Sequence, residues 1–316
     1  MEDNINSFYP PKPFLEKEVK QKGHLAVTVF SLLLFALSFL LFFGGDFRFL
    51  VEIIAVLIVH ELGHFLMMKR FRYENVRMLF VPFMGAFVHG SKEKYQQRQS
   101  LLVVLAGPLP GIILGTVAWI LGMEYEIAWM IEVALISYFL NVINLIPLQP
   151  LDGGRILSIL FFEKIEGIQV IFAFVSSLAL IGLGFYLDMY IVMIIGFLMG
   201  FQVRSMHRRY LIHKSLKEQA VSFQSTYDDL SDKNYHEIKN EVLEHTPGLI
   251  KFMDVAEEED YSRIVAGEVK NILLPPMYLD LGIVSKIIAL IIWITAIVGP
   301  VVLLWNYNIL SFFNAI

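Results

Sequence analysis

Seven stretches of the chain stay apolar for long enough to suit a bilayer: residues 24–44, 49–68, 101–121, 127–147, 168–187, 189–204 and 283–305, the sixth being the shortest. A helix of about 20 mainly apolar residues crosses the hydrocarbon layer, because lipid offers no partner to an unpaired backbone amide or carbonyl. The pattern predicts an all-α polytopic membrane protein of about seven transmembrane helices. Residues 205–282 are the one sizeable polar region, and within it 227–270 is charged and helix-prone, with the acidic run Glu257, Glu258, Glu259 and Asp260. A small helical domain or a regulatory tail fits, closed by Pro275 and Pro276 before the last span. The division that follows is 1–48 (tail and first helix), 49–160 (membrane core), 161–204 (accessory helices), 205–282 (cytoplasmic region) and 283–316 (last helix and tail).

With 56% hydrophobic and 17% charged residues, the composition excludes a chain that folds in water alone. The stretch beginning at His24 follows Lys12, Lys17, Lys20 and Lys22 and precedes no small-residue cleavage site, so it is expected to be a retained anchor and not a signal peptide. The chain has no cysteine, which removes disulfides, thiolate ligands and a cysteine nucleophile. Lys and Arg alternate between loops: 69–100 carries Lys69, Arg70, Arg72, Arg77, Lys92, Lys94 and Arg98, whereas 122–126 and 187–188 carry only acids. The positive-inside tendency then places the N-terminus and residues 205–282 in the cytoplasm. The basic run from Arg204 to Lys217 suits anionic headgroups of membrane lipids, or simply fixes that topology. Nothing supports nucleic-acid binding, and the sequence does not disclose the oligomeric state.

Inside the second stretch the chain reads His60-Glu61-Leu62-Gly63-His64. Residues four apart on a helix stand one turn above each other, so both imidazoles can reach one metal ion with Glu61 beside it. Charged groups within a span cost about 2.5–3.5 kcal/mol each and face a cavity or a partner. Three on one turn point to a polar cluster joining helices or to a site.

The fourth stretch ends in Asn144-Leu145-Ile146-Pro147-Leu148-Gln149-Pro150-Leu151-Asp152-Gly153-Gly154-Arg155. Two prolines and two glycines predict that the helix unwinds here and presents Asp152 from an irregular turn. That turn is on the cytoplasmic side, as is the inner half of the second span, which makes Asp152 the candidate third ligand. Asn144 either bonds a neighbouring helix or holds a substrate carbonyl.

Together these motifs resemble the site-2 protease family of intramembrane zinc metalloproteases, which pairs HExxH in one transmembrane helix with NxxP and a following DG in another. Here those are His60 to His64, Asn144, Pro147 and Asp152-Gly153. The resemblance covers residues 49–160. It implies His60, His64 and Asp152 as ligands of one Zn2+ per chain and Glu61 as general base. It extends to Phe80-Val81-Pro82-Phe83-Met84-Gly85-Ala86-Phe87, similar to a short membrane-associated strand-and-turn segment, and to Ala106-Gly107-Pro108. It departs at Gly111, where relatives often have Asn.

On this reading the chain hydrolyses peptide bonds in or near transmembrane segments of membrane protein substrates. Three protein ligands leave one zinc position for water, and Glu61 takes its proton and delivers it to the leaving amine. A substrate helix must unwind first; residues 79–88 either form an edge strand that pairs with it or a loop lying on the membrane surface. Asn144 is the expected substrate-binding residue. A membrane metal-ion transporter or sensor, or an inactive protease-like scaffold, would use the same residue types. Glu61 separates them, being a ligand in transport and a free base in hydrolysis. His24, His89, His236 and His245 lack a partner at ligand spacing, with His89 the one expected near the cleft.

The orientation is tested with single cysteines at Ser222 and Asn308. An impermeant thiol reagent applied to intact cells is expected to label the second and spare the first. Labelling at Ser222 would invert the topology.

Overall fold

A computed structural model of the chain describes residues 9–15, 24–43, 46–82, 85–163, 165–253 and 257–306. Helices α1 (His24–Phe43) and α2 (Phe47–Arg70) are followed by a hairpin, β1 (Glu74–Val81) and β2 (Gly85–Ser91). Strand β3 (Tyr95–Gln96) leads into α3 (Gln97–Leu105), α4 (Pro108–Glu124) and α5 (Ala128–Asn144). Next come α6 (Asp152–Leu157), which runs into a π-helical turn at Ser158–Phe162, then α7 (Glu166–Tyr186) and α8 (Tyr190–Glu218). The remainder is α9 (Asp232–His245), α10 (Pro247–Met253), α11 (Glu258–Ile272), β4 (Met277–Tyr278) and α12 (Ile283–Asn306).

Among the described residues, five helical stretches are long and apolar enough to cross a membrane: α2, α3 with α4, α7, α8 and α12. Two shorter apolar helices, Leu25–Leu41 and Ala128–Asn144, accompany them. Leu33, Ile113, Ile171, Phe197 and Ile291 stand exposed on α1, α4, α7, α8 and α12, a surface that suits lipid and not water. The protein is an integral membrane protein, mostly helical with a small sheet.

Helix α2 buries Leu50, Leu57, His60, Glu61, His64 and Met68, a stripe at helical spacing that turns all three polar residues of the HExxH motif inward. It crosses the junction of α3 and α4 closely: a β-carbon on Gly63 would lie 1.7 Å from the Ala106 carbonyl oxygen. Pro108 begins α4 at a position where a missing N–H costs nothing. Glycines also set the α4–α5 pair. Gly111 faces Asn141, Gly115 faces Ser137 and Gly122 faces Ile131, so the two backbones approach where a larger residue would hold them apart.

The hairpin is antiparallel, with Met78 opposite Val88, Leu79 opposite Phe87 and Phe80 opposite Ala86. Helix α1 lies along the outer side of β1. The Thr28 hydroxyl donates to the Met78 carbonyl (2.7 Å), and the Ser31 hydroxyl accepts from the Phe80 amide (3.2 Å). The outer edge of β1 is thereby capped at two points. Because opposed residues in an antiparallel pair turn the same way, Ala86 and Val88 direct their backbone groups to the outer edge of β2. The described residues give that edge no hydrogen-bond partner.

Helix α8 continues without a break from its apolar half past residue 205 to Glu218, where Ile212 and Leu216 enter a second core. That core joins Tyr235, Ile238 and Val242 of α9 to Val265, Ala266 and Val269 of α11. The polar region is thus a helical module with its own apolar interior. It returns to the membrane core through a parallel bridge of β3 with β4 and through the Arg98 amide, which donates to Asp280 (2.8 Å).

Candidate metal centre

His60 and His64 stand one turn apart on α2, and Asp152 opens α6 on the chain that returns from α5. All three are buried. The Nε2 atoms of the two histidines lie 3.2 Å apart, and Asp152 Oδ2 lies 3.2 Å from His60 Nε2 and 3.1 Å from His64 Nε2. Among the described residues, these form the group of metal-ligating side chains with atoms within 4.8 Å of one another.

The orientation of each ring is fixed from behind. His60 Nδ1 donates to Asn141 Oδ1 and His64 Nδ1 donates to the Val103 carbonyl oxygen, both at 2.8 Å. Since those partners are acceptors, the proton of each neutral imidazole sits on Nδ1 and the Nε2 lone pair faces inward. Two lone pairs and a carboxylate oxygen then converge on one point. Without a cation they repel, so the donor set fits a metal ion.

Glu61 is buried beside this group, and its Oε2 has no hydrogen-bond partner among the described residues. An isolated carboxylate in an apolar interior is costly. It is nevertheless a ready proton acceptor.

Unwinding between Asn144 and Asp152 occurs as the prolines predict, but the two glycines do something other than break a helix. Gly153 and Gly154 lie within α6. A β-carbon on Gly153 would sit 2.1 Å from the Leu145 carbonyl oxygen, and one on Gly154 would sit 2.5 Å from the Leu148 carbonyl carbon. They are there because the chain folds back onto residues 145–149. The Leu145 carbonyl oxygen also receives the indole N–H of Trp293 from α12 (2.9 Å), which clamps the turn from outside.

Asn144 donates its side-chain amide to the Leu140 carbonyl, one turn back on its own helix (2.9 Å). Asn141, which sequence reasoning passed over, holds His60. Its amide donates to the Ser137 carbonyl (2.7 Å), and the Ser137 hydroxyl donates to the Gly111 carbonyl (2.8 Å). A second Asn one turn before Asn144 in an apolar helix was the available signal. At the departure noted at Gly111, the Asn141 side chain lies where a β-carbon would go, 2.3 Å from its nitrogen. Among the other histidines, His89 lies on β2 opposite Arg77, and His24 has no described side chain.

The model of peptidase family M50 matches residues 48–128 and 126–187. Within the matched stretch α2 holds His60, Glu61 and His64, α5 ends with Asn144, and α6 follows with Asp152. Stage IV sporulation protein FB of Bacillus subtilis is 28% identical over 124 residues, 38% of this chain and 43% of that protein. A zinc metalloprotease of Methanocaldococcus jannaschii is 31% identical over 147 residues, 44% of this chain and 42% of that one. The chain therefore spans less than half the length of these relatives. A solved site-2 protease from Methanocaldococcus jannaschii superposes with a TM-score of 0.43 at 22% identity, over 56% of this chain and 88% of that one.

Gly107 provides a test of this geometry, since a β-carbon there would stand 2.2 Å from His64 Nε2. Gly107→Ala is expected to push the ring aside at a cost of about 1–3 kcal/mol, weakening metal binding by roughly 5- to 150-fold. Competition with a chelator measures the affinity, and circular dichroism checks that helix content is kept. Wild-type affinity in this variant would place His64 outside the metal site.

Proposed function

We propose that the chain is an intramembrane zinc metalloendopeptidase that hydrolyses peptide bonds in or near transmembrane segments of membrane protein substrates. The observation that carries this is the convergence of two Nε2 lone pairs and one carboxylate oxygen, with the unpaired Glu61 carboxylate beside them and outside the converging set. His60, His64 and Asp152 hold one Zn2+ per chain. When bound, the ion supplies a Lewis acid that raises the acidity of water and polarises a carbonyl.

Glu61 accepts a proton from water as the water oxygen bonds to the scissile carbonyl carbon. It returns that proton to the amide nitrogen as the carbon–nitrogen bond breaks. Asn141 and the Val103 carbonyl keep both imidazoles in the tautomer this requires. Asn144 retains its side-chain oxygen and one amide hydrogen beyond its bond to Leu140, and with these it orients substrate backbone.

The seven apolar helices span the membrane, with the N-terminus and residues 205–282 on the cytoplasmic side. Substrate backbone that unwinds near the site needs new hydrogen-bond partners. The outer edge of β2, at Ala86 and Val88, supplies them by strand addition, while α1 covers the matching edge of β1. Ion transport, the second function these residue types allow, would use Glu61 as a further ligand. Its place outside the group of converging ligand atoms favours hydrolysis.

Glu61→Gln preserves shape and removes the base. Cleavage of a reconstituted transmembrane substrate is expected to fall about 100-fold or more, with zinc content retained. Zinc is expected to be lost in His64→Ala and Asp152→Ala. Wild-type cleavage by Glu61→Gln would overturn the mechanism and favour ion handling.

A further inference from the structure

Residues 9–15, before the first apolar helix, dock on the helical module more than 200 positions away in sequence. Three prolines, Pro10, Pro11 and Pro13, hold the segment extended and leave Lys12 as the one residue of 10–13 with a backbone N–H. That N–H donates to Asp232 Oδ1 (2.8 Å). The Lys12 ammonium has three hydrogens, and three carbonyl oxygens of one turn accept them: Tyr227 (2.6 Å), Asp228 (2.9 Å) and Leu230 (2.6 Å).

The module reads the carbonyls of the tail as well. The Tyr227 hydroxyl donates to the Pro13 carbonyl (2.8 Å), and His236 Nε2 donates to that of Pro10 (3.0 Å). Burial, with Asp232 nearby, pushes the Tyr227 phenol up to about 12, so it remains a hydrogen-bond donor throughout the neutral range. Tyr9 stacks on the His236 ring, with centroids 5.7 Å apart, and Leu15 packs against the module's apolar core.

An isolated surface lysine would pair with one flexible carboxylate and gain little. Here its whole donor capacity is matched by backbone oxygens in a turn that is itself fixed, since Thr226 and Asp229 bond each other across it (2.7 Å). Backbone and side-chain groups on both sides are complementary, as in the recognition of extended proline-rich peptides.

We infer that the surface from Tyr227 to His236 is a recognition site for an extended peptide with a lysine flanked by prolines, and that the chain's own residues 9–15 are its resident ligand. Only residues 16–23 separate the docked segment from α1, the helix whose Thr28 and Ser31 cap β1. Occupancy therefore ties α1 to the module, and a competing peptide of the same chemistry releases it. The inference stands apart from the chemistry at the metal centre.

Two measurements on the full-length protein in detergent test it. The cysteine-free chain accepts one reporter thiol, Leu15→Cys, whose labelling is expected to speed up about tenfold or more when Lys12→Ala is added. A fluorescein-labelled synthetic peptide of residues 8–15 is expected to bind the Lys12→Ala chain, where the site is vacated, and to bind the wild type at least about tenfold more weakly. The same peptide with alanine in place of lysine should bind neither. Unchanged labelling, failure of the peptide to bind the Lys12→Ala chain, or equal binding to both chains would each overturn the proposal.

Discussion

Three electron-rich atoms, Nε2 of His60, Nε2 of His64 and Oδ2 of Asp152, are held within 3.2 Å of one another in a buried site. Left alone, they would separate: lone pairs repel, and a desolvated carboxylate seeks a donor. What keeps them facing each other is a set of bonds behind the rings, from Asn141 and from the Val103 carbonyl, that consumes the Nδ1 protons and leaves no donor on the inner side. The protein spends fold stability to prepare a place that a cation completes. Folding energy and metal affinity are linked in such a site, because the ligands converge only in the folded chain.

Holding helices at that distance imposes a second condition, which is close backbone approach. Gly63 lets α2 touch the break between α3 and α4, Gly107 leaves room for the His64 ring, and Gly111 leaves room for Asn141. Lipid tails are as apolar as leucine, so hydrophobicity does not drive helices together inside the membrane. Packing and hydrogen bonds do, and both need short distances. The glycines of the core and the polar atoms of the site are two sides of one requirement.

These relations differ in how far the sequence reveals them. The histidine pair was legible because helical periodicity alone puts positions 60 and 64 on one face. Asp152 was legible because the alternation of charged loops predicts its turn on the same side of the membrane as the inner half of the second span, and the structure brings it to the histidine pair. The β1–β2 hairpin was foreseen as a segment, but not that Thr28 and Ser31 would cap one of its edges, since two hydroxyls three residues apart in an apolar helix carry no specific signal. Gly153 and Gly154 read as helix breakers, whereas they sit in a helix and relieve contact with residues 145–149. Propensity describes a residue's own backbone, and these glycines answer to a neighbour's. The docking of residues 9–15 was hidden for a similar reason: the receptor for Lys12 is made of main-chain carbonyls, which every residue has. The span count shows the limit from another direction. Helix α5 is 17 residues long and ends at Asn144, where the turn that leads to Asp152 begins.

That turn also explains why the last helix belongs to the core despite its distance in sequence. Residues 145–151 leave the helical ladder, and exposed backbone polar groups are not tolerated at membrane depth unless protein or water satisfies them. Trp293 of α12 donates to the Leu145 carbonyl across 148 positions, and the Gln149 amide donates to Ser176 of α7 (3.2 Å). Around the indole, Ala289, Trp293 and Ala296 join Leu145, Ile156 and Leu160 in one apolar cluster. A buried aspartate that follows irregular backbone among apolar helices thus needs neighbours outside the His60, His64 and Asp152 group to satisfy that backbone. In this chain α7 and α12 meet that need, which gives helices beyond α2 and α6 a physical reason to be there.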